Sequence, residues 1–142
     1  LVASIENGVV LPIYILDDTN PGEHKLGSAS RIWLHQSLEK LNQKFDNSLK
    51  FFKGNPIDIL ANICKTEKIC KIFWNRVYEP WSIQRDKKIK DTLKTHGIDV
   101  SSFNSSLLWE PWEVLKNDGT PYRVFTPYYR RGCLSAKEPR PR

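Results

Sequence analysis

No other stretch of this sequence puts as many hydrogen-bonding groups between two regular elements as that from Ile72 to Asp86, which reads Ile-Phe-Trp-Asn-Arg-Val-Tyr-Glu-Pro-Trp-Ser-Ile-Gln-Arg-Asp. Asn75, Arg76, Tyr78 and Glu79 follow an apolar stretch and precede a proline. Asp17 and Asp18 close a second apolar run, Asn55 sits in a Gly-Asn-Pro turn, and Arg31 stands near the start of a helical pattern. Carboxylates, an amide and guanidinium groups beside Trp33, Trp74, Tyr78 and Trp81 suit a planar ligand with polar edges. Aromatics supply stacking area, and a few fixed polar groups set orientation. The same residues also admit structural roles: Asp17 and Asp18 capping backbone, Asn75 closing its own turn, Arg31 and Glu79 forming an internal ion pair. No Gly-rich phosphate loop, Ser/His/Asp set or Cys/His pair offers separate catalytic chemistry, and His24, His35 and His96 are isolated. Cys64, Cys70 and Cys133 are odd in number and lack metal-ligand spacing, which points to free thiols in a reducing compartment. No catalytic residue and no metal site are assigned.

For these groups to meet, each must sit where a strand hands over to a helix. Val9 to Leu16 is a continuous apolar run and reads as a strand buried on both faces, hence parallel. Leu1 to Gly8 before it reads as the end of a helix stopped at Asn7-Gly8. Thr19 to Gly27 is a loop, and Ser28 or Ser30 can cap the helix whose stripe is Leu34, Leu38, Leu41 and Phe45. Leu49 to Lys53 is a short strand. Asn55 and Pro56 then open a helix with Ile59, Leu60, Ile63 and Cys64 facing inward. Cys70 to Trp74 is a strand, about Trp81 to His96 a helix stopped by Gly97, and Ile98 to Phe103 a strand weakened by Ser101-Ser102. The alternation predicts an α/β fold, a three-layer, doubly wound parallel sheet of Rossmann-like form, with its ligand crevice at the carboxyl edge of the strands. Beyond Leu107 the periodicity gives way to turns spaced through aromatics, and the tail from Gly132 reads as a linker.

Bulk properties fit one soluble domain. The chain has 142 residues, 39% of them hydrophobic, a mean hydropathy of −0.50 and apolar runs too short to span a membrane. Cytoplasmic residence is the expectation. The net charge of +6 and pI near 9.3 raise nucleic acid as a partner. However, Lys87, Lys88, Lys90 and Lys94 fall on a helix whose apolar positions are Ile89 and Leu93, and Arg130, Arg131, Lys137, Arg140 and Arg142 lie in the tail. Both patches read as solvated surface or linker.

The order of motifs is distinctive. Gly27-Ser28-Ala29-Ser30-Arg31, Trp33-Leu34-His35-Gln36-Ser37-Leu38, Asn75-Arg76-Val77-Tyr78-Glu79-Pro80-Trp81, Arg85-Asp86, Leu107-Leu108-Trp109-Glu110-Pro111-Trp112, Asp118-Gly119-Thr120-Pro121-Tyr122 and Val124-Phe125-Thr126-Pro127-Tyr128-Tyr129 follow one another through nearly the whole chain. Together they resemble the amino-terminal domain of the DNA photolyase and cryptochrome family. The resemblance implies that residues 1–131 form that domain and that 132–142 begin an interdomain linker. It implies an antenna chromophore here, a deazaflavin or flavin favoured over folate, with Asp17, Asp18, Arg31, Asn75, Arg76, Tyr78 and Glu79 as binding residues. Positions matching Arg31 and Glu79 belong to the deazaflavin-type pocket of relatives. Folate users carry glutamate where Ser82 stands, and some deazaflavin binders carry aspartate where Val77 stands. The family's redox flavin, flavin adenine dinucleotide, belongs to a helical carboxyl-terminal domain absent from this sequence. That domain is the implied partner, with damaged DNA bound through the full-length protein. The intact parent is thereby expected to be a deoxyribodipyrimidine photolyase, a light-driven lyase acting on pyrimidine dimers. A cryptochrome photoreceptor and an unrelated nucleotide-binding α/β domain are the alternatives. The family also places a further strand, ending in an arginine-bearing turn, in the middle of the sheet ahead of the first helix. Its absence here predicts two open sheet edges and marginal stability.

Overall fold

The computed structural model describes residues 2–6 and 8–139; Leu1, Asn7, Arg140, Pro141 and Arg142, and with them the helix stop at Asn7 and the end of the basic tail, lie outside the described residues. The chain forms two compact units, Leu1–Phe103 and Asn104–Arg142. The first carries the alternating pattern: α1 (Val2–Ile5), β1 (Ile13–Leu16), α2 (Ser28–Lys44), β2 (Lys50–Lys53), α3 (Pro56–Thr66), β3 (Lys71–Asn75), α4 (Pro80–Thr95) and β4 (Asp99–Phe103).

Among the described residues all strand pairing is parallel, but it occurs in two separate two-stranded sheets, β1 with β2 and β3 with β4. Ile13 lies opposite Lys50, and Lys71 opposite Asp99. This is the α/β architecture expected from the pattern, with the sheet divided between β1 and β3. Ile13 and Ile15 pack on the same core as Ile72, Trp74 and Val100, against Leu60 and Cys64 of α3 and Ile89 and Leu93 of α4. Leu93 is fully buried. Tyr14 and Leu16, on the opposite face of β1, look toward Leu34 and Leu38 of α2 across an open groove. Helices thus cover both faces, as double winding requires.

Local chemistry sets the boundaries. Asn55 accepts a bond from the Ile57 N–H (3.1 Å), and Pro56 fills the first turn of α3, where a missing donor costs nothing. α4 ends when Gly97 takes φ +74° and the Ile98 N–H returns to the Leu93 carbonyl (3.1 Å). α2 is capped by Gly27, with no side-chain bond, and not by Ser28 or Ser30; both serines lie within the helix. Strand β1 is half the predicted length. Val9 is fully exposed and Pro12 has no N–H, so pairing with β2 starts at the Pro12 carbonyl, which accepts from the Lys50 N–H (3.0 Å). Strand β4 forms despite its serines through its ladder with β3, and Ser102 Oγ accepts from Lys90 Nζ at 2.7 Å.

The second unit is built from turns, as the broken periodicity predicts, and holds short helical turns at Phe125–Pro127, Tyr128–Gly132 and Cys133–Ser135. Regular structure therefore continues past Gly132, the residue at which the sequence pattern places the linker. Gly132 is buried, and a Cβ built on it would stand 2.7 Å from Val114 Cγ1 and 3.0 Å from Tyr122 Cε2, a spacing no side chain fits without displacement. Cys64 is buried, Cys70 exposed and Cys133 half-buried, all as free thiols. Among the described residues no helix is long and apolar enough to cross a membrane.

Candidate functional site at the carboxyl edge of the strands

Where β1 ends, the chain turns sharply and Asp17 is fixed by that turn. Its Oδ1 accepts the N–H groups of Thr19 and Asn20, both at 3.0 Å, and its Oδ2 accepts Asn20 Nδ2 at 2.8 Å. The carboxylate is only 5% exposed and faces Arg85 Nη1 at 3.7 Å. Arg85 also grips Asp86 Oδ1 through Nε (2.9 Å) and Nη2 (2.7 Å), while Trp74 Nε1 donates to Asp86 Oδ2 (3.0 Å). The Arg85 guanidinium lies 5.0 Å from the Trp81 ring centroid, a cation–π arrangement. One relay therefore ties the exit of β1 to the first two turns of α4.

A cavity of about 560 Å³ opens beside this relay, walled by Tyr14, Leu16, Asp17, Glu79, Trp81 and Arg85, with Pro21, His24 and Leu26 at its margin. Its size is in the range of small-molecule sites. Two aromatic rings, two carboxylates and a guanidinium form its surface, so it suits a flat ring system that bears hydrogen-bonding groups. Burial, assisted by the Asp18 carboxylate, pushes the Tyr14 hydroxyl above its ordinary pKa.

Of the residues singled out in the sequence, Asp17 and Glu79 share this cavity. Asp18 and Arg31 form their own ion pair, with Arg31 Nη2 and Nη1 at 2.6 and 3.1 Å from the two Asp18 oxygens, and Lys53 Nζ 3.9 Å away. Arg31 Nε donates to the Leu26 carbonyl at 2.9 Å. Hydrogen bonding to Arg31 holds the Asp18 carboxyl below the usual range, and the same bond raises Arg31. Arg31 lines the groove under α2 and Glu79 lines the cavity beside Arg85; in place of the Arg31–Glu79 ion pair that the sequence admits, Arg31 meets Asp18. Arg76 reaches across to β4. Its side chain donates to the Ser102 carbonyl and to Ser102 Oγ (3.3 Å), and its N–H to the Phe103 carbonyl (2.8 Å). Asn75 ends β3 opposite Phe103, and half-buried Tyr78 lies in the turn just ahead of Glu79; neither lines the cavity. Asn55 is spent on capping α3.

Two of the tryptophans expected as walls point elsewhere. Trp33 is 74% exposed because Leu34, Leu38 and Phe45 hold the inner side of α2, and Trp74 packs into the core. Arg85 and Tyr14 line the cavity although the sequence pattern does not single them out as binding residues. Arg85 stands one helical turn after Trp81, a spacing that puts both on one side of α4, and Tyr14 alternates with the core isoleucines of β1.

Comparison with known proteins covers the whole chain. The family described as DNA photolyase matches residues 1–142. Cryptochrome-1 of Arabidopsis thaliana is 34% identical over 143 residues, covering 95% of this chain and 20% of the plant protein. A deoxyribodipyrimidine photo-lyase of Agrobacterium fabrum is 34% identical over 134 residues, covering 92% of this chain and 27% of its own. The crystal structure of a bacterial class III photolyase from Agrobacterium tumefaciens superposes with a TM-score of 0.85 at 33% identity, over 97% of this chain and 29% of that one. The chain thus spans between a fifth and three tenths of these relatives.

Proposed function

This chain belongs to the DNA photolyase family, and from that premise we propose that residues 1–131 are the antenna-chromophore domain of a deoxyribodipyrimidine photolyase. The observation that carries the reading is the cavity at the carboxyl edge, where Asp17, Glu79 and Arg85 present polar groups between Tyr14 and Trp81. A bound antenna pigment would absorb light and pass the excitation to flavin adenine dinucleotide held by a separate helical domain. The chain's own residues act more narrowly. Aromatic walls hold a ring in place, and a carboxylate opposite a guanidinium sets its direction.

A deazaflavin or flavin fits these residues better than a folate. Ser82, at the position where folate users carry glutamate, is 1% exposed inside α4, so no carboxylate is offered there. Of the residues named from the sequence, Asp17 and Glu79 are the proposed direct contacts. Asp18 with Arg31, and Arg76 with β4, hold the turns that present them. Asn75 and Tyr78 shape the β3 exit. The proposed partners are the helical flavin domain and, through it, damaged DNA, and the proposed setting is cytoplasmic.

Equal identity to a cryptochrome and to a photolyase supports a second reading, a blue-light photoreceptor built on the same domain. The test uses the full-length protein, titrated with deazaflavin, flavin and folate while energy transfer is read by fluorescence. It is then assayed for light-driven repair of pyrimidine dimers. Binding of a deazaflavin or flavin with repair supports the photolyase reading; binding without repair moves it to the receptor; binding of folate alone overturns the chromophore assignment.

A further inference from the structure

The polar groups of the carboxyl-edge cavity are not equally available to a ligand. The Arg85 guanidinium is held from two sides, by Asp86 through Nε (2.9 Å) and Nη2 (2.7 Å) and by Asp17 at 3.7 Å. Asp17 is itself occupied: Oδ1 accepts the Thr19 and Asn20 N–H groups, and Oδ2 accepts Asn20 Nδ2. An ionised carboxylate has about four acceptor positions, and these bonds together with the arginine use them. Glu79 differs. It is exposed on the wall of the same cavity, and among the described residues its carboxylate makes no hydrogen bond and no ion pair. The Tyr14 hydroxyl, also on that wall, likewise has no hydrogen-bond partner among the described residues.

Charge divides in the same way. Asp17 and Asp86 together carry more negative charge than the single Arg85 between them returns, and Glu79 adds to the surplus. Asp18 and Arg31 cancel each other, while Lys25 and Lys53 act on Asp18 and do not line the cavity. His24 at the margin brings no counter-charge while it is neutral. A volume of about 560 Å³ is roughly 10 Å across, and the screening length at physiological salt is about 8 Å. Most of a bound ligand therefore lies within reach of the Glu79 charge.

We propose that this cavity selects its ligand by charge: it takes an uncharged ring that offers an N–H or O–H to Glu79, and it discriminates against the same ring bearing a phosphate or carboxylate tail. An ionised carboxylate only accepts, so the ligand must supply the donor at Glu79, whereas the Tyr14 hydroxyl can donate to a ring carbonyl. An anionic tail meets surplus negative charge and, among the described residues, no uncommitted cation on the wall to receive it. This rests on the antenna reading above and narrows it. A riboflavin-type ligand is the favoured class; flavin mononucleotide and flavin adenine dinucleotide are disfavoured at this site.

The test titrates the full-length protein, loaded with flavin adenine dinucleotide, with riboflavin and with flavin mononucleotide. These two differ only in the phosphate, and binding is read by quenching of their fluorescence. Riboflavin is expected to bind roughly three- to tenfold tighter at low salt, with the ratio of the two Kd values falling toward one at about 0.5 M salt. Glu79→Gln removes the charge at nearly constant shape and is expected to shrink that ratio at least about twofold. Tyr14→Phe removes an uncharged contact, so it is expected to weaken both ligands by the same factor and leave the ratio alone. Flavin mononucleotide binding as well as riboflavin, a ratio indifferent to salt, or a ratio unchanged in Glu79→Gln overturns the charge selection while the antenna reading stands. Binding of neither flavin overturns both. The salt series is read on the wild type, so the proposal is decided even where a variant does not fold.

Discussion

At the scale of single residues, the site depends on who pairs with whom. Asp18 and Arg31 are thirteen positions apart and meet only because the β1 turn and the start of α2 are neighbours in space. Their types are legible in the sequence as polar groups near strand ends, but their pairing is not, since either arginine of the edge could answer either carboxylate. The pairing separates two substitutions that would otherwise look alike. On the proposed photolyase reading, Glu79→Gln is expected to weaken chromophore binding in the full-length protein while leaving repair driven by direct flavin excitation nearly unchanged. Arg31→Ala, by contrast, is expected to lower the urea midpoint, because it strips Asp18 of its partner; chromophore titration and denaturation on the same two variants tell the roles apart. The pair also predicts an acid limb. An aspartate titrates near 3.9 in an unfolded chain, and Arg31 holds Asp18 lower in the fold. Its contribution is therefore complete above about pH 4 to 5 and is lost as pH falls through the depressed folded value. Urea midpoints between pH 6 and 3 are expected to fall more steeply for the wild type than for Asp18→Asn.

At the scale of elements, periodicity and caps carry most of the information. Helix α3 is readable from Asn55-Pro56 and the Leu60, Ile63, Cys64 stripe, and the structure buries those three residues. Asn55→Ala is expected to cost about 1 kcal/mol, measured by denaturant unfolding, from loss of the cap to Ile57. Leu93→Ala, in the same assay, is expected to cost roughly 2–5 kcal/mol because it removes buried methyl groups from a fully enclosed site and leaves a cavity. Strand ends are less legible. The apolar run from Val9 suggests a strand reaching back to that residue, yet a strand needs a neighbour as well as a pattern, and only Ile13–Leu16 has one. Trp33 misleads for a related reason: an indole beside an apolar stripe fits the pattern of a wall, and only the packing of Leu34 and Leu38 shows that α2 turns it outward.

At the scale of the whole molecule, the α/β class and the division of the sheet are both anticipated, the second through the family resemblance and not through composition. Open edges on β1 and β3 predict marginal stability, so a cooperative, high-temperature melt of purified monomer would contradict that expectation. Among the described residues no ladder hydrogen bond joins the two sheets of the first unit; one apolar layer from α3 and α4, centred on Leu60, Cys64, Ile89 and Leu93, serves both. Backbone hydrogen bonds persist on cooling, whereas the attraction between apolar surfaces fades. The junction between β1 and β3 rests on that shared apolar layer and is therefore expected to loosen on cooling, with the opposite temperature sense to ordinary melting; near-ultraviolet circular dichroism followed toward 0 °C checks it.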